Sequence, residues 1–343
     1  MLLLALAISQ ATSKPIAPER PLISLSFSVP SNAGEDEYLA SIREQIRFGL
    51  NGFYISVKWG DIETSPGSYN FKSLEDSLGL AKLLGADVAV NFQSIDTTNR
   101  GLPSDLATAE FDSPEVQTRF QSFLAEASKK LNKRVKWISL GNEVDAYLSA
   151  HPNEVPAYLQ LMLAGRKQLK QSFLSALIGV TCTYDGYQKN PELVEKLEAW
   201  TEVVFMTYYP MTQQFGPRPI SEVPSDFAAL TKLAAGRKLL LQEIGLPASE
   251  IVGSSEQIQA DFVSEVFKQL SKHSSRIAFA NYFLQYDFPP QLLDVFETYY
   301  GIKDEKFRAF LGSLGIRKTD GTPRKAWSRF RDETISWFKI SSV

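Results

Sequence analysis

The chain has 343 residues, with 36 Lys and Arg against 39 Asp and Glu, so its formal net charge is −3; that balance excludes a protein that holds nucleic acid or an anionic membrane by bulk charge. Apolar residues at 44% and charged residues at 22% exclude the disordered and fibrous classes and imply a sizeable core. One cysteine, Cys182, and two histidines, His151 and His273, exclude an internal disulfide, a multi-cysteine zinc site and a three-histidine metal centre, which leaves carboxylates to carry protons.

Met1, Leu2, Leu3, Leu4, Ala5, Leu6, Ala7 and Ile8 form an apolar run that gives way to small and polar residues through Ser13. This is the core and cleavage-region pattern of a secretory signal, without the usual positive start. Residues 1–20 are therefore expected to be a signal-like or disordered segment, and the protein to be secreted or periplasmic. No later stretch reaches the roughly 20 apolar residues of a membrane span.

From Pro21 onward, β-rich runs alternate with helical periodicity, and no linker, low-complexity tract or repeat interrupts them. The predicted strands run from Leu22 to Val29, Gly52 to Lys58, Asp87 to Phe92, Val135 to Leu140, Ala176 to Thr183, Val203 to Tyr208, Lys238 to Gln242 and Arg276 to Phe283. Between them, apolar residues at helical spacing mark faces at Leu39, Ile42 and Ile46, at Leu74, Leu78 and Ala81, and at Val116, Phe120, Phe123, Leu124 and Ala127. Later faces are Leu159, Met162, Leu163 and Leu169, then Leu193, Leu197 and Trp200, then Ile258, Phe262, Val266 and Leu270. Asp112-Ser113-Pro114 supplies a helix start. Eight strands with interleaved helices predict the α/β class and a single (β/α)8 TIM barrel over residues 21–343, not two doubly wound domains.

On such a barrel the active site lies at the C-terminal ends of the strands, and two apolar runs end there on glutamate. Trp137-Ile138-Ser139-Leu140 stops on Gly141-Asn142-Glu143, and Leu239-Leu240-Leu241 stops on Gln242-Glu243. The glutamates are 100 residues apart, on predicted strands four and seven, which face each other across a barrel mouth. Partial burial can hold such a carboxyl neutral while the neighbouring amide binds a hydroxyl. Either glutamate alone could equally cap a helix or pair with a base; both on the expected strands argue for joint chemistry.

Asn91, Gln93 and Asp96 follow strand three and offer hydroxyl-binding groups, although Asp96 is equally suited to begin a turn. Alternation in Met206-Thr207-Tyr208-Tyr209 places Thr207 and Tyr209 on one face and Tyr208 on the other. Trp59, Tyr147, Tyr187, Phe215, Tyr286 and Phe288 fall in or near strand-to-helix loops, where flat rings can serve as sugar platforms or simply pack beneath the loops.

Gly141-Asn142-Glu143 and Gln242-Glu243-Ile244-Gly245 resemble the acid/base and nucleophile signatures of the clan A glycoside hydrolases, retaining β-glycosidases on (β/α)8 barrels. Trp59-Gly60-Asp61-Ile62-Glu63 with Pro66 to Phe71 resembles the segment after strand two of that clan, and Gly315-Ile316-Arg317 through Ala326-Trp327 resembles a closing motif of many members. The resemblance implies Glu243 as nucleophile, Glu143 as acid/base, Asn142 on the sugar 2-hydroxyl and a tyrosine against the nucleophile, Tyr209 ahead of Tyr208. It implies no cofactor and no metal, a β-linked oligo- or polysaccharide as the partner, and a monomer.

Tyr208-Tyr209-Pro210 resembles endo-β-1,4-galactanases, whereas Glu243-Ile244-Gly245-Leu246-Pro247 is similar to a signature of endo-β-1,3-glucanases. An endo-β-glycanase acting on a β-glucan or β-galactan is therefore expected. Two departures stand out. The clan's arginine near the end of strand two has no counterpart, since Tyr54 falls about there and Lys58 is the nearest base. The tryptophan after strand eight is replaced in Asn281-Tyr282-Phe283, so that Phe283 is the expected floor of the sugar site, with Gln93, Trp59, Tyr147 and Tyr286 around it. These departures also fit the alternative of an inactive carbohydrate-binding barrel.

Overall fold

The structure is a computed structural model and describes residues 20–173 and 175–339. The signal-like segment expected over residues 1–20 lies, but for Arg20, outside the described residues.

Eight strand positions form the barrel: β1 Leu22–Leu25, β2 Gly52–Lys58, β3 Asp87–Gln93, β4 Val135–Ser139, β5 in two pieces (Leu177–Gly179 and Thr181–Thr183), β6 Val204–Tyr208, β7 Leu239–Ile244 and β8 Ile277–Tyr282. The pairing is parallel throughout, in the orders β1-β8-β7-β6-β5 and β2-β3-β4-β5. The two pieces of β5 join the sheets, the first pairing with β4 and the second with β6. At the remaining seam Asn51 bridges β1 and β2, its side chain accepting from the Ile23 amide and its own amide donating to the Ile23 carbonyl. The principal helix after each strand is α1 Glu35–Phe48, α2 Lys72–Leu84, α3 Pro114–Ser128, α4 Val155–Ser172, α5 Pro191–Glu198, α6 Val223–Leu233, α7 Glu256–Lys272 and α8 Lys325–Lys339. This is the (β/α)8 barrel expected from the alternation of strand and helix patterns.

The lumen is filled in two layers. Ala89, Phe205, Leu240 and Phe279 pack the lower one. Glycines make room for its rings, because a Cβ on Gly52 would stand 2.7 Å from the Phe279 ring and one on Gly179 would stand 2.9 Å from Phe205. Above them lies a polar layer in which the Gln242 carbonyl accepts from Thr181 (2.6 Å) and Asn91 (3.2 Å) while its amide donates to Asn142 (2.7 Å). Buried amides need such partners, and this layer is the support on which the mouth is built.

Most predicted helix faces are buried, as at Leu74, Leu78 and Ala81 or at Val116 through Ala127. Ser113 caps α3 through the Val116 amide, with Pro114 in its first turn. The first face differs: Leu39 and Ile46 are exposed, and α1 buries Ser41, Ile42, Glu44, Gln45 and Phe48. The reason is a polar docking partner. Gln45 bonds the Leu25 carbonyl and Gln285, Gln285 donates to Glu44, and Glu44 receives Arg317 and the Trp327 indole. Leu163, likewise placed on an inner face by spacing, is half exposed.

Between β8 and α8 the chain makes a long excursion containing helices Pro290–Tyr300 and Glu305–Leu311. Its base is clamped: the Asp287 carboxylate accepts the Gly315 amide (2.8 Å) and pairs with Arg324, while Ile316 and Arg317 bond back to Leu284 and Gln285. Gly315 has no space for a side chain, as its Cβ would lie 2.3 Å from the Asp287 nitrogen.

Candidate active site

β4 and β7 deliver their glutamates by different backbone devices. Glu143 follows Gly141, where a Cβ would collide with Tyr158 and Val144, and itself adopts a left-handed conformation at φ 46° and ψ 43°. Left-handed backbone is uncommon for a residue with a side chain. Glu143 is fixed there by the hairpin Ile95–Asp96/Asn99–Arg100, through Asn142 N to Ile95 O (2.9 Å) and Thr97 N to Asn142 O (2.9 Å). Glu243 lies inside its strand. One extra residue in β7 shifts the register, so that Met206 pairs with Leu241 but Thr207 with Glu243. A bulge of this kind re-aims side chains: Gln242 enters the lumen layer and Glu243 faces the mouth.

Both carboxylates line one cavity of about 490 Å³, with Tyr54, Gln93, Asp96, Asn142, Tyr209 and Phe283 among its walls. The two oxygens of Glu143 accept hydroxyls from Thr207 (2.7 Å) and Thr97 (2.9 Å). Glu243 accepts the Tyr209 phenol at 2.7 Å. Burial pushes Glu143 above the ordinary carboxyl range, opposed by the two threonine hydroxyls. Burial first, and then the charge of Glu143, push Glu243 up to about 8 against the Tyr209 hydrogen bond. The two half-buried carboxyls repel each other, so their protonations are coupled: the charge of one raises the proton affinity of the other.

Asp96 is the junction of the polar wall. It receives Gln93 and Asn142, each at 3.3 Å, Lys58 at 3.1 Å and the Tyr299 phenol at 2.8 Å. Lys58, the base nearest to the missing arginine, is thus spent on Asp96. Tyr54 stands in the cavity and accepts Asn91 at 3.4 Å, its phenol held well above its ordinary value by burial and by Glu243.

The excursion arches over this floor. Tyr299 ties it to the hairpin after β3 through Asp96 and Asn99 and to the end of β2 through Lys58. Phe310 ties it to the β6 side, with ring centroids 5.8 Å from Tyr209 and 5.9 Å from Phe215. Aromatic contacts run without a break from Tyr209 through Phe283, Phe288, Phe296 and Tyr300 to Phe307. The cavity therefore has a polar floor from the strand ends and an aromatic collar from the excursion.

Of the residues predicted from sequence, Glu143, Glu243, Asn142, Gln93, Tyr209 and Phe283 meet at this cavity. Tyr208 does not. It points to the helix side, fully buried, and donates to Asp226 at 2.8 Å, which is the outcome that strand alternation dictates. Trp59 is also fully buried, packed on Phe120 and Phe123 with its indole donating to Glu63 at 2.7 Å, and has no face left for a sugar. Tyr147 stacks on His151 and bonds Arg100 and Glu154 away from the cavity. Tyr286 is buried against Ser41 at the base of the excursion. Thr97, Tyr299 and Tyr300 also reach this site and carry no sequence motif that marks them; Thr207 does, since alternation puts it on the face of Tyr209. Among the described residues no group of three or more His, Cys, Asp or Glu side chains is placed to hold a metal ion.

At the level of sequence, no family model and no curated protein matches the chain. Solved structures do. An exo-β-1,4-mannosidase from Opitutaceae bacterium strain TAV5 superposes with a TM-score of 0.72 at 16% identity, over 94% of this chain, which spans 60% of the mannosidase. A GH5_18 protein from Streptomyces cattleya in complex with GlcNAc gives 0.70 at 15% identity, covering 94% of this chain and 81% of that one. An apo β-glucosidase gives 0.64 at 10% identity, with 88% of each chain covered. The likeness shows the fold.

Proposed function

We propose that the protein is a retaining glycoside hydrolase that cleaves β-linked glycans by double displacement. The observation that carries this reading is the pairing of Glu143 and Glu243 in one cavity, each held by hydroxyl donors at the ends of β4 and β7. An inactive sugar-binding barrel has no need of two carboxyls in one cavity, each with its own hydroxyl donors.

In the first step the Glu243 carboxylate attacks the anomeric carbon and Glu143 gives its proton to the leaving oxygen. Tyr209 holds the attacking carboxylate in place and favours its charged form. Glycosylation removes the charge of Glu243, which lowers the proton affinity of Glu143 and frees it to deprotonate water in the second step. The Thr97 and Thr207 hydroxyls keep the Glu143 carboxyl oriented through both. Asn142 and Gln93, anchored on Asp96, present amides to the sugar hydroxyls, and Phe283 offers a ring to its C–H face.

The finer reading, endo action on a β-glucan or β-galactan, rests on the strand-six and strand-seven motifs. The fold's likeness to a mannosidase adds mannans to the candidates. A screen of β-glucans, galactans, mannans, xylans and aryl β-glycosides, with product sizing and NMR of the first anomer formed, tests all of this. A β anomer as first product is expected; an α anomer, or no turnover anywhere, defeats the proposal. Export through the signal-like segment belongs to the same proposal, and the N-terminus of the mature protein tests it by mass spectrometry.

A further inference from the structure

The cavity in front of the two glutamates has two unlike halves. Besides Phe283, the strand ends and the hairpin after β3 contribute ten residues to it, and all ten carry polar side chains, Gln93, Asp96 and Asn142 among them. From Phe288 to Leu314 the excursion contributes eight, of which only Tyr300 has a hydrogen-bonding group in its side chain. Phe288, Phe296, Ile302, Phe310 and Leu311 are half exposed there. Five apolar side chains left open toward one space beside a reacting centre form a surface that is stabilised when a ligand covers it.

This collar is a poor fit for a sugar. A sugar ring stacks on a flat platform and needs hydrogen-bond partners around its edge. The collar rings meet at steep angles, 67° for Phe288 with Phe296 and 81° for Tyr300 with Phe307, and so form a curved wall instead of a platform. Hydroxyls pressed against it would lose water and gain no partner except Tyr300, which is costly. An alkyl or aryl group needs only apolar contact. Charge narrows the class further, since Asp96, Glu143 and Glu243 line the cavity without a Lys, Arg or His side chain, which disfavours an anionic group.

The collar also stands on the side of the proton donor. The Tyr300 phenol is pushed up by burial first and then by the charge of Glu143, which acts on it more strongly than that of Glu243. Thr97, which donates to Glu143 at 2.9 Å, also bonds Tyr300. In a double displacement the group beside the proton donor is the one that leaves.

We infer that the substrate is a glycan β-linked to an uncharged apolar group, alkyl or aryl, and that the collar holds this group as it leaves. The bond cut is the one between the anomeric carbon and the oxygen of that group; Glu243 takes the carbon, Glu143 gives its proton to the oxygen, and the apolar group departs as an alcohol or phenol. This rests on the glycosidase reading and names the leaving group within it.

The test uses methyl, butyl, octyl and 2-phenylethyl β-glycosides of the glycone that the activity screen selects. Their alcohols are similarly poor leaving groups, so differences among them report contact with the protein. A methylene that becomes fully buried is worth about fourfold, and kcat/KM is expected to rise at least tenfold from methyl to the better of octyl and 2-phenylethyl; which of these two leads tells an alkyl from an aryl occupant. In Phe296→Ala and Ile302→Ala, with the fold checked by circular dichroism, that gain is expected to shrink about threefold or more. A wild-type gain below tenfold overturns the inference without recourse to the variants, as does a disaccharide of the same glycone that is cut with a higher kcat/KM than either apolar glycoside. A gain unchanged in both variants overturns the assignment to the collar. The activated dinitrophenyl glycoside separates the two levels: if it is turned over while the series stays flat, only this inference fails, and if no glycoside is cleaved at all, the glycosidase reading fails with it.

Discussion

The two strand ends that carry the carboxylates solve one problem in opposite ways. At β7, Glu243 stays in the strand, turned inward by a bulge, with one phenol as donor and one cavity in front of it. At β4, Glu143 leaves the strand on a left-handed backbone, with two hydroxyl donors, and borders, besides the shared cavity, a second one of about 540 Å³ that Glu243 does not line. A nucleophile has to approach one carbon from one side, so a fixed in-strand position serves it. An acid/base must serve a leaving oxygen and then a water, so a position between two spaces serves it. The contrast is the one expected of the roles proposed for the two residues.

The largest effect expected from breaking this contrast is at Glu243. Glu243→Gln keeps the shape but removes the attacking charge, and kcat should fall by at least about 10⁴-fold while saccharide affinity remains. The same variant should be more stable than the wild type. Burial and the mutual repulsion of the two carboxyls raise the titration of the pair up to about 8, so the folded state loses the advantage of the retained proton as pH rises through about 8. The gain in Tm should therefore grow between pH 4.5 and 8 and level off above, as thermal melts at a series of pH values would reveal.

An intermediate effect is expected at Glu143. Glu143→Ala should slow substrates with poor leaving groups by about 10²- to 10⁴-fold and activated aryl glycosides less in their first step. Azide, which needs no general base, should restore turnover of the activated substrate and yield the β-glycosyl azide. An α-azide from this variant would exchange the two roles.

The smallest effect concerns the hydroxyl clamp. Thr97→Val and Thr207→Val each remove a donor to the charged form of Glu143, so its proton should be held to higher pH. The alkaline limb of kcat/KM should move up by about 0.5 to 1 unit per variant, the value of one hydrogen bond. An unmoved limb would mean that the threonines only pack.

What was legible in the sequence follows the same division. Strand patterns, and the glutamates at the ends of strands four and seven, could be read because buried parallel strands are apolar runs that stop abruptly at the mouth. Alternation placed Thr207 and Tyr209 together and Tyr208 apart. The bulge at Gln242 could not be read, since it exists only in the register with β6 and β8. The polar inner face of α1 was hidden for a similar reason: Ser41, Glu44 and Gln45 look like a solvent face until Gln285, Arg317 and Trp327 arrive from some 240 to 283 residues away. Trp59 was drawn to the site by its motif, although the same motif places Glu63 to bury it. The aromatic collar was largely illegible because Phe296, Tyr300, Phe307 and Phe310 sit at helical spacing and acquire a common direction only when the excursion folds over the mouth.

The most direct test of the central claim is chemical trapping. A 2-deoxy-2-fluoro-β-glycoside with a dinitrophenolate leaving group forms the glycosyl-enzyme and slows its hydrolysis, so that the attacking residue keeps its label through proteolysis and mass spectrometry. With the glycone that the activity screen selects, the account predicts one label per chain, on the peptide that carries Glu243. A label on Glu143, or unlabelled enzyme that remains active and releases the α anomer, would contradict it.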